Sequence, residues 1–94
     1  MRIVWSRRAL RHLRHLREYI GRDNPEAAAR VAQRILAAVE LLAEHPSLGR
    51  PGRVFGTREL VVPGTPYIIP YRVRAARLEL IAVFHGRQKW SGRL

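Results

Sequence analysis

Apolar residues follow a helical spacing in the first half of the chain and an alternating one in the second. Met1 to Trp5 is a short apolar stretch that predicts a first strand. Ser6 follows as an N-cap, and Ala9, Leu10, Leu13, Leu16 and Ile20 recur at the spacing of one helix face. At about 100° per residue, Arg7, Arg11 and Arg14 gather on the opposite side. Gly21 is expected to end this helix. Asn24-Pro25 opens a second, with Asn24 as cap and Pro25 at the first helical position, where its missing N–H costs nothing. Ala28, Val31, Ala32, Ile35, Val39 and Leu42 form its inward stripe, Arg30, Gln33 and Glu40 face out, and Pro46 stops it. Two helices joined by so few residues lie antiparallel.

Residues 46–56 (PSLGRPGRVFG) form a Gly- and Pro-rich connector. Thr57 to Val62 then reads as a strand, Tyr67 to Val73 as another, and Leu78 to His85 as a third after a turn at Arg74 to Arg77. That turn lacks an Asn-Gly signal, so its type is open. Pro70 removes a ladder donor, which puts its strand at an edge or points the missing N–H away from a partner. Simple alternation places Leu78, Leu80, Ala82 and Phe84 on one face of the last strand and Glu79, Ile81, Val83 and His85 on the other. Both faces are largely apolar, as in a central strand covered on both sides. The expected fold is α+β, ordered β-α-α-β-β-β: an N-terminal strand and an antiparallel helical hairpin packed on a mainly antiparallel sheet, in one domain over 1–94.

Charge adds a partner to this picture. The chain has 18 basic residues against 7 acidic ones, a net charge of +11, and Lys89 is its single lysine. Guanidinium forks match phosphate and carboxylate, so nucleic acid or an acidic protein is the expected partner. Cysteine is absent, which excludes disulfides and thiolate chemistry and fits a cytoplasmic setting. No apolar run reaches the length of a membrane span and no leader pattern opens the chain, so no membrane partner is expected.

The segments RDNPEAAARVAQRILAAVELLAEHP, GRPGRVFGTRELVV, YIIPYRV and VFHGRQKW, in that order, resemble the RelE/ParE toxin superfamily over nearly the whole chain. The resemblance implies a toxin of a type II toxin-antitoxin system, silenced by a cognate antitoxin. It also implies one of two activities: RelE-like cleavage of mRNA on the ribosome, or ParE-like poisoning of DNA gyrase.

A metal-free ribonuclease must activate a 2′-hydroxyl, stabilise the phosphorane and protonate the leaving oxygen. His85 is the titratable candidate, because an imidazole near its ordinary pKa of about 6.5 serves as acid or base; it could equally pack at a strand end. Arg87 stands where RelE-like nucleases carry a catalytic arginine after the last strand, although ParE-like sequences often share His-Gly-Arg-Gln. Arg72 could assist, or could pair with Glu79 across the hairpin. In YIIPYRV, Ile68 occupies a position where the nucleases have arginine, and the tail WSGRL has no match to their C-terminal tyrosine. Both departures favour gyrase poisoning.

For target binding the candidates are Arg58, Tyr71, Lys89 and the helix arginines Arg7, Arg11 and Arg14. Arg58 could instead pair with Glu59, and Tyr67 and Tyr71 share a face that could stack bases or fill the core. His12 and His15 lie three apart, but no third ligand stands out; no metal or other cofactor is expected. Gly49, Gly52 and Gly56 lack the context of a phosphate loop. Trp5 and Trp90 are read as packing residues or antitoxin contacts.

Overall fold

The structure, a computed structural model, describes residues 1–88. Strand β1 (Arg2–Trp5) leads into helix α1 (Arg7–Asp23) and helix α2 (Pro25–Glu44). Strands β2 (Arg50–Pro51), β3 (Arg58–Val61), β4 (Tyr67–Arg74), β5 (Arg77–Leu80) and β6 (Phe84–His85) follow. The sheet order is β1-β5-β4-β3-β2, and β6 pairs with the first part of β4. The β1–β5 pairing is parallel and the others antiparallel, so the sheet is mixed and mainly antiparallel, as expected.

Short-range chemistry sets the helix ends. Ser6 Oγ accepts the Ala9 amide at 2.9 Å and donates to the Ile81 carbonyl at 2.9 Å, tying the start of α1 to the sheet. Gly21 does not end α1. It keeps out of the left-handed region, and an added Cβ would meet Ala28 only at an ordinary 3.6 Å, so nothing there stops the helix. Asn24 serves both helices: its amide closes α1 on the Ile20 carbonyl at 2.9 Å, and its side chain accepts the Ala27 amide at 3.0 Å. Pro25 opens α2 as predicted.

The hairpin lies on one face of the sheet. Ala9, Leu16, Ile35, Val39 and Leu42 bury against Ile69, Tyr71, Leu78, Leu80 and Val83. Each such large aliphatic side chain contributes about 1.5–3 kcal/mol by leaving water.

Three expectations change. First, the last strand is broken. Tyr71 pairs with Leu80 but Ile68 with Phe84, so two residues of β4 oppose three residues, 81–83, across the gap. One extra residue makes a bulge. Pro70 explains its place: its carbonyl accepts the Ile81 amide at 2.9 Å, and the donor it lacks would point to the same side. Pro70 is buried within a central strand, between β3 and the β5 side, rather than at an edge. Second, the bulge resets which side chains share a face. Leu78, Leu80 and Val83 face the helices, whereas Ile81, Ala82 and Phe84 join Ile68 in a second apolar cluster. Third, the connector contains a strand, β2, paired with β3. The open question of the β4–β5 turn also closes: Ala75 and Ala76 both take positive φ, 50 and 58°, as a two-residue hairpin of the right twist demands.

Candidate functional site

A cleft of about 720 Å³ opens between α1 and β6, with Arg8, His12, His15, Tyr19, Tyr67 and His85 among the residues lining it. Helical spacing brings His12, His15 and Tyr19 to one side, and the register pair Tyr67–His85 supplies the other. The Tyr67 and His85 rings meet edge to face, with centroids 5.6 Å apart.

Two imidazoles here are held by main-chain donors. His12 Nδ1 accepts the Val83 amide at 3.2 Å, and His85 Nδ1 accepts the Arg87 amide at 3.1 Å. In its neutral form each therefore carries its proton on Nε2. Burial pushes the His12 pKa below its ordinary value, and the charges of Arg11, Arg8 and His15 add to the effect. The Tyr67 phenol is pushed up, chiefly by burial and then by Tyr19, so it stays protonated. The cleft thus groups proton donors of modest polarity beside the apolar Leu16, Val83 and Phe84. Among the described residues no three His, Cys, Asp or Glu side chains group as metal ligands.

The other predicted residues lie elsewhere. Arg72 sits on the sheet face away from the helices, where its Nε donates to Glu79 Oε1 at 2.8 Å; Arg74 shares that oxygen at 3.0 Å. Hydrogen bonds from Arg72 and Arg74 draw the Glu79 carboxyl below its ordinary pKa. The pairing across the hairpin is the one the sequence allowed for. It also separates Arg72 from His85, which faces α1.

Tyr71 is not a surface platform. Its ring is fully buried, and its hydroxyl accepts the Gly49 amide at 2.8 Å while donating to the Pro46 carbonyl at 2.7 Å. A phenol enclosed in this way offers no face to a base. Arg58 does not pair with Glu59; it donates to the carbonyls of Gly49 at 2.8 Å and Ser47 at 3.3 Å. Adjacent strand residues point to opposite faces, so Glu59 instead meets Arg50 at 3.3 Å and Arg53 at 3.8 Å. Arg7, Arg11 and Arg14 are exposed along α1, and Arg87 is exposed beside His85. Trp5 packs against the core. Lys89 and Trp90 fall outside the described residues.

Sequence reasoning missed Tyr19 and the pairing of His12 with the sheet. The spacing of His12, His15 and Tyr19 (i, i+3, i+7) was a usable signal for a shared face. The side of the helix on which His85 would arrive was not legible, because it depends on the bulge.

Similarity to known proteins agrees with this architecture. The family described as "ParE toxin of type II toxin-antitoxin system, parDE" matches residues 3–90. Y4kP of Sinorhizobium fredii is 53% identical over 89 residues, covering 95% of this chain and 92% of that protein. Toxin RelE2 of Caulobacter vibrioides is 39% identical over 83 residues, covering 88% and 92%. A chain of the solved chromosomal ParDE TA system from P. aeruginosa superposes with a TM-score of 0.82 at 26% identity, over 90% of this chain and 95% of that one. The chain belongs to the ParE toxin family and is a toxin of a type II toxin-antitoxin system.

Proposed function

We propose that this toxin acts by binding, as a ParE-like poison of DNA gyrase, and that a cognate antitoxin silences it by covering its basic surface. The observation that carries this reading is the separation of one candidate catalytic group, Arg72, from His85, which leaves Arg87 as the candidate arginine beside it. His85 faces α1, whereas Arg72 lies on the other side of the sheet with its Nε committed to Glu79 at 2.8 Å. Phosphodiester cleavage needs a proton-transfer group and a phosphate-holding cation within reach of one reacting centre. Ile68 supports the same reading, because it sits in an apolar cluster with Ile81, Ala82 and Phe84 rather than offering a cation. The net charge of +11 suits association with a protein–DNA machine. Titrating purified toxin into a gyrase supercoiling reaction tests the proposal: inhibition or trapped cleavage complexes are expected.

A second reading has its own support. The cluster of His12, Tyr67 and His85 groups proton-transfer side chains in one cleft, and two relatives carry the names Toxin RelE2 and Toxin RelE1. On this reading the protein is a ribosome-dependent mRNA endonuclease using His85 with Arg87. Codon-positioned mRNA ends on translating ribosomes, lost in His85→Ala, would establish it.

A further inference from the structure

Phe55 is fully exposed, at 103% relative accessibility, yet the loop beneath it is held in place by buried groups. Tyr71 ties the Gly49 amide and the Pro46 carbonyl together, and Arg58 grips the Gly49 carbonyl. Glu59, only 3% exposed, accepts the Arg53 amide at 3.0 Å. The Gly52 amide donates to the Thr57 carbonyl at 2.8 Å. Thr57 returns two bonds to the Val54 carbonyl, from its amide at 3.1 Å and its hydroxyl at 2.6 Å. A Cβ at Gly52 would overlap Thr57 Oγ1, and Gly56 takes φ +83° to complete the turn. A slack loop could fold a phenyl ring back onto the protein. This one fixes the ring in water.

Such presentation lowers the ordering cost of binding, so a rigid exposed aromatic is suited to act as an anchor. The surroundings select its partner. Arg50 and Arg53 flank the turn with side chains 55% and 46% exposed, and Arg58 follows it; Glu59 is the single carboxylate of the segment 50–59. A flat apolar ring among surplus guanidinium groups matches a ligand that combines a flat apolar surface with negative charge. A nucleobase on its phosphodiester backbone does so. An apolar protein pocket would match the ring but not the cations around it.

We propose that Phe55 is a nucleic-acid contact: the turn from Val54 to Thr57 offers its ring to a nucleobase while Arg50 and Arg53 meet neighbouring phosphates. The inference does not depend on which target the toxin poisons, because it is tested on nucleic acid alone. Short labelled oligonucleotides of single-stranded DNA, duplex DNA and RNA are titrated with the unaltered chain and with Phe55→Ala and Phe55→Trp. The ring packs against nothing in its own chain, so both variants keep the unaltered thermal midpoint. Phe55→Ala weakens binding roughly five- to a hundred-fold, with an unchanged salt slope, on the strand form that offers its bases. Phe55→Trp retains affinity, and its added indole emission is quenched on binding. If the unaltered chain binds none of the three, or Phe55→Ala binds all of them equally well, the proposal is wrong. Loss of binding to a target protein in Phe55→Ala, with nucleic-acid affinity intact, would also overturn it.

Discussion

The Pro70 carbonyl accepts the Ile81 amide at 2.9 Å, and directly beyond this contact the ladder gains its extra residue. That extra residue decides on which side of the sheet His85 arrives. With an unbroken strand, Leu80 and Phe84 would share a face; with the bulge, Val83 and His85 turn to the helices and Phe84 joins Ile68. The chemistry of the cleft therefore follows from a one-residue bulge that lies beside Pro70, a residue without an N–H to lose from the ladder.

The Tyr71 hydroxyl satisfies Gly49 and Pro46 from within the core. Tyr71→Phe leaves the Gly49 amide unpaired beneath a buried ring, at a cost of about 1–3 kcal/mol. Urea unfolding should show a lower midpoint with an unchanged slope, and an unshifted midpoint would mean that the connector is held by other bonds.

Ala75 and Ala76 occupy the left-handed region, which disfavours residues carrying a Cβ. Replacing the pair with Asn-Gly relieves that strain and should stabilise the fold by about 1 kcal/mol. Thermal unfolding checks the direction; destabilisation would mean that Ala75 and Ala76 do not both hold positive φ.

Burial, followed by the charges of Arg11, Arg8 and His15, favours the neutral form of His12 in the fold and lowers its pKa from 6.5. Tyr67 and His85 face it from the sheet across the cleft. The unfolded chain then takes up the proton first. The contribution is fully present above pH 6.5 and is lost as pH falls from 6.5 through the lower folded value. His12→Asn keeps an acceptor for the Val83 amide but cannot titrate. Its unfolding midpoint should fall less steeply over that window, and parallel curves for the two proteins would refute the assignment.

Glu79 behaves in the same sense at lower pH. Its folded pKa lies below 4.5 because Arg72 and then Arg74 donate to it, so its contribution is present above 4.5 and is lost as pH falls through the folded value. The pair is partly exposed, and the effect should shrink with added salt. Acid titration of Glu79→Gln, monitored by circular dichroism, should show a flatter profile below pH 4.5 than the unaltered chain.

The helical hairpin, its Asn24-Pro25 junction and the order of elements were legible because caps, proline and a 3.6-residue period are local signals. Strand pairing is not local. The parallel pairing of β1 with β5 joins segments at opposite ends of the described chain, and nothing in Met1 to Trp5 specifies that neighbour. Tyr71 read as a binding residue because its spacing from Tyr67 says that the two share a face, not how deeply that face is covered. Arg58 and Glu59 were adjacent in sequence but project to opposite sides. Of the candidate site, His85 and Tyr67 were named in advance. Their meeting with His12 was hidden behind the bulge.

Poisoning by binding rather than by cleavage is tested most directly with gyrase, relaxed plasmid and the His85→Ala/Arg87→Ala double variant. Both the unaltered toxin and the double variant should inhibit supercoiling or accumulate cleaved DNA to a similar degree. Unimpaired supercoiling by gyrase, together with codon-positioned mRNA cuts that the double variant fails to make, would instead identify the protein as a nuclease.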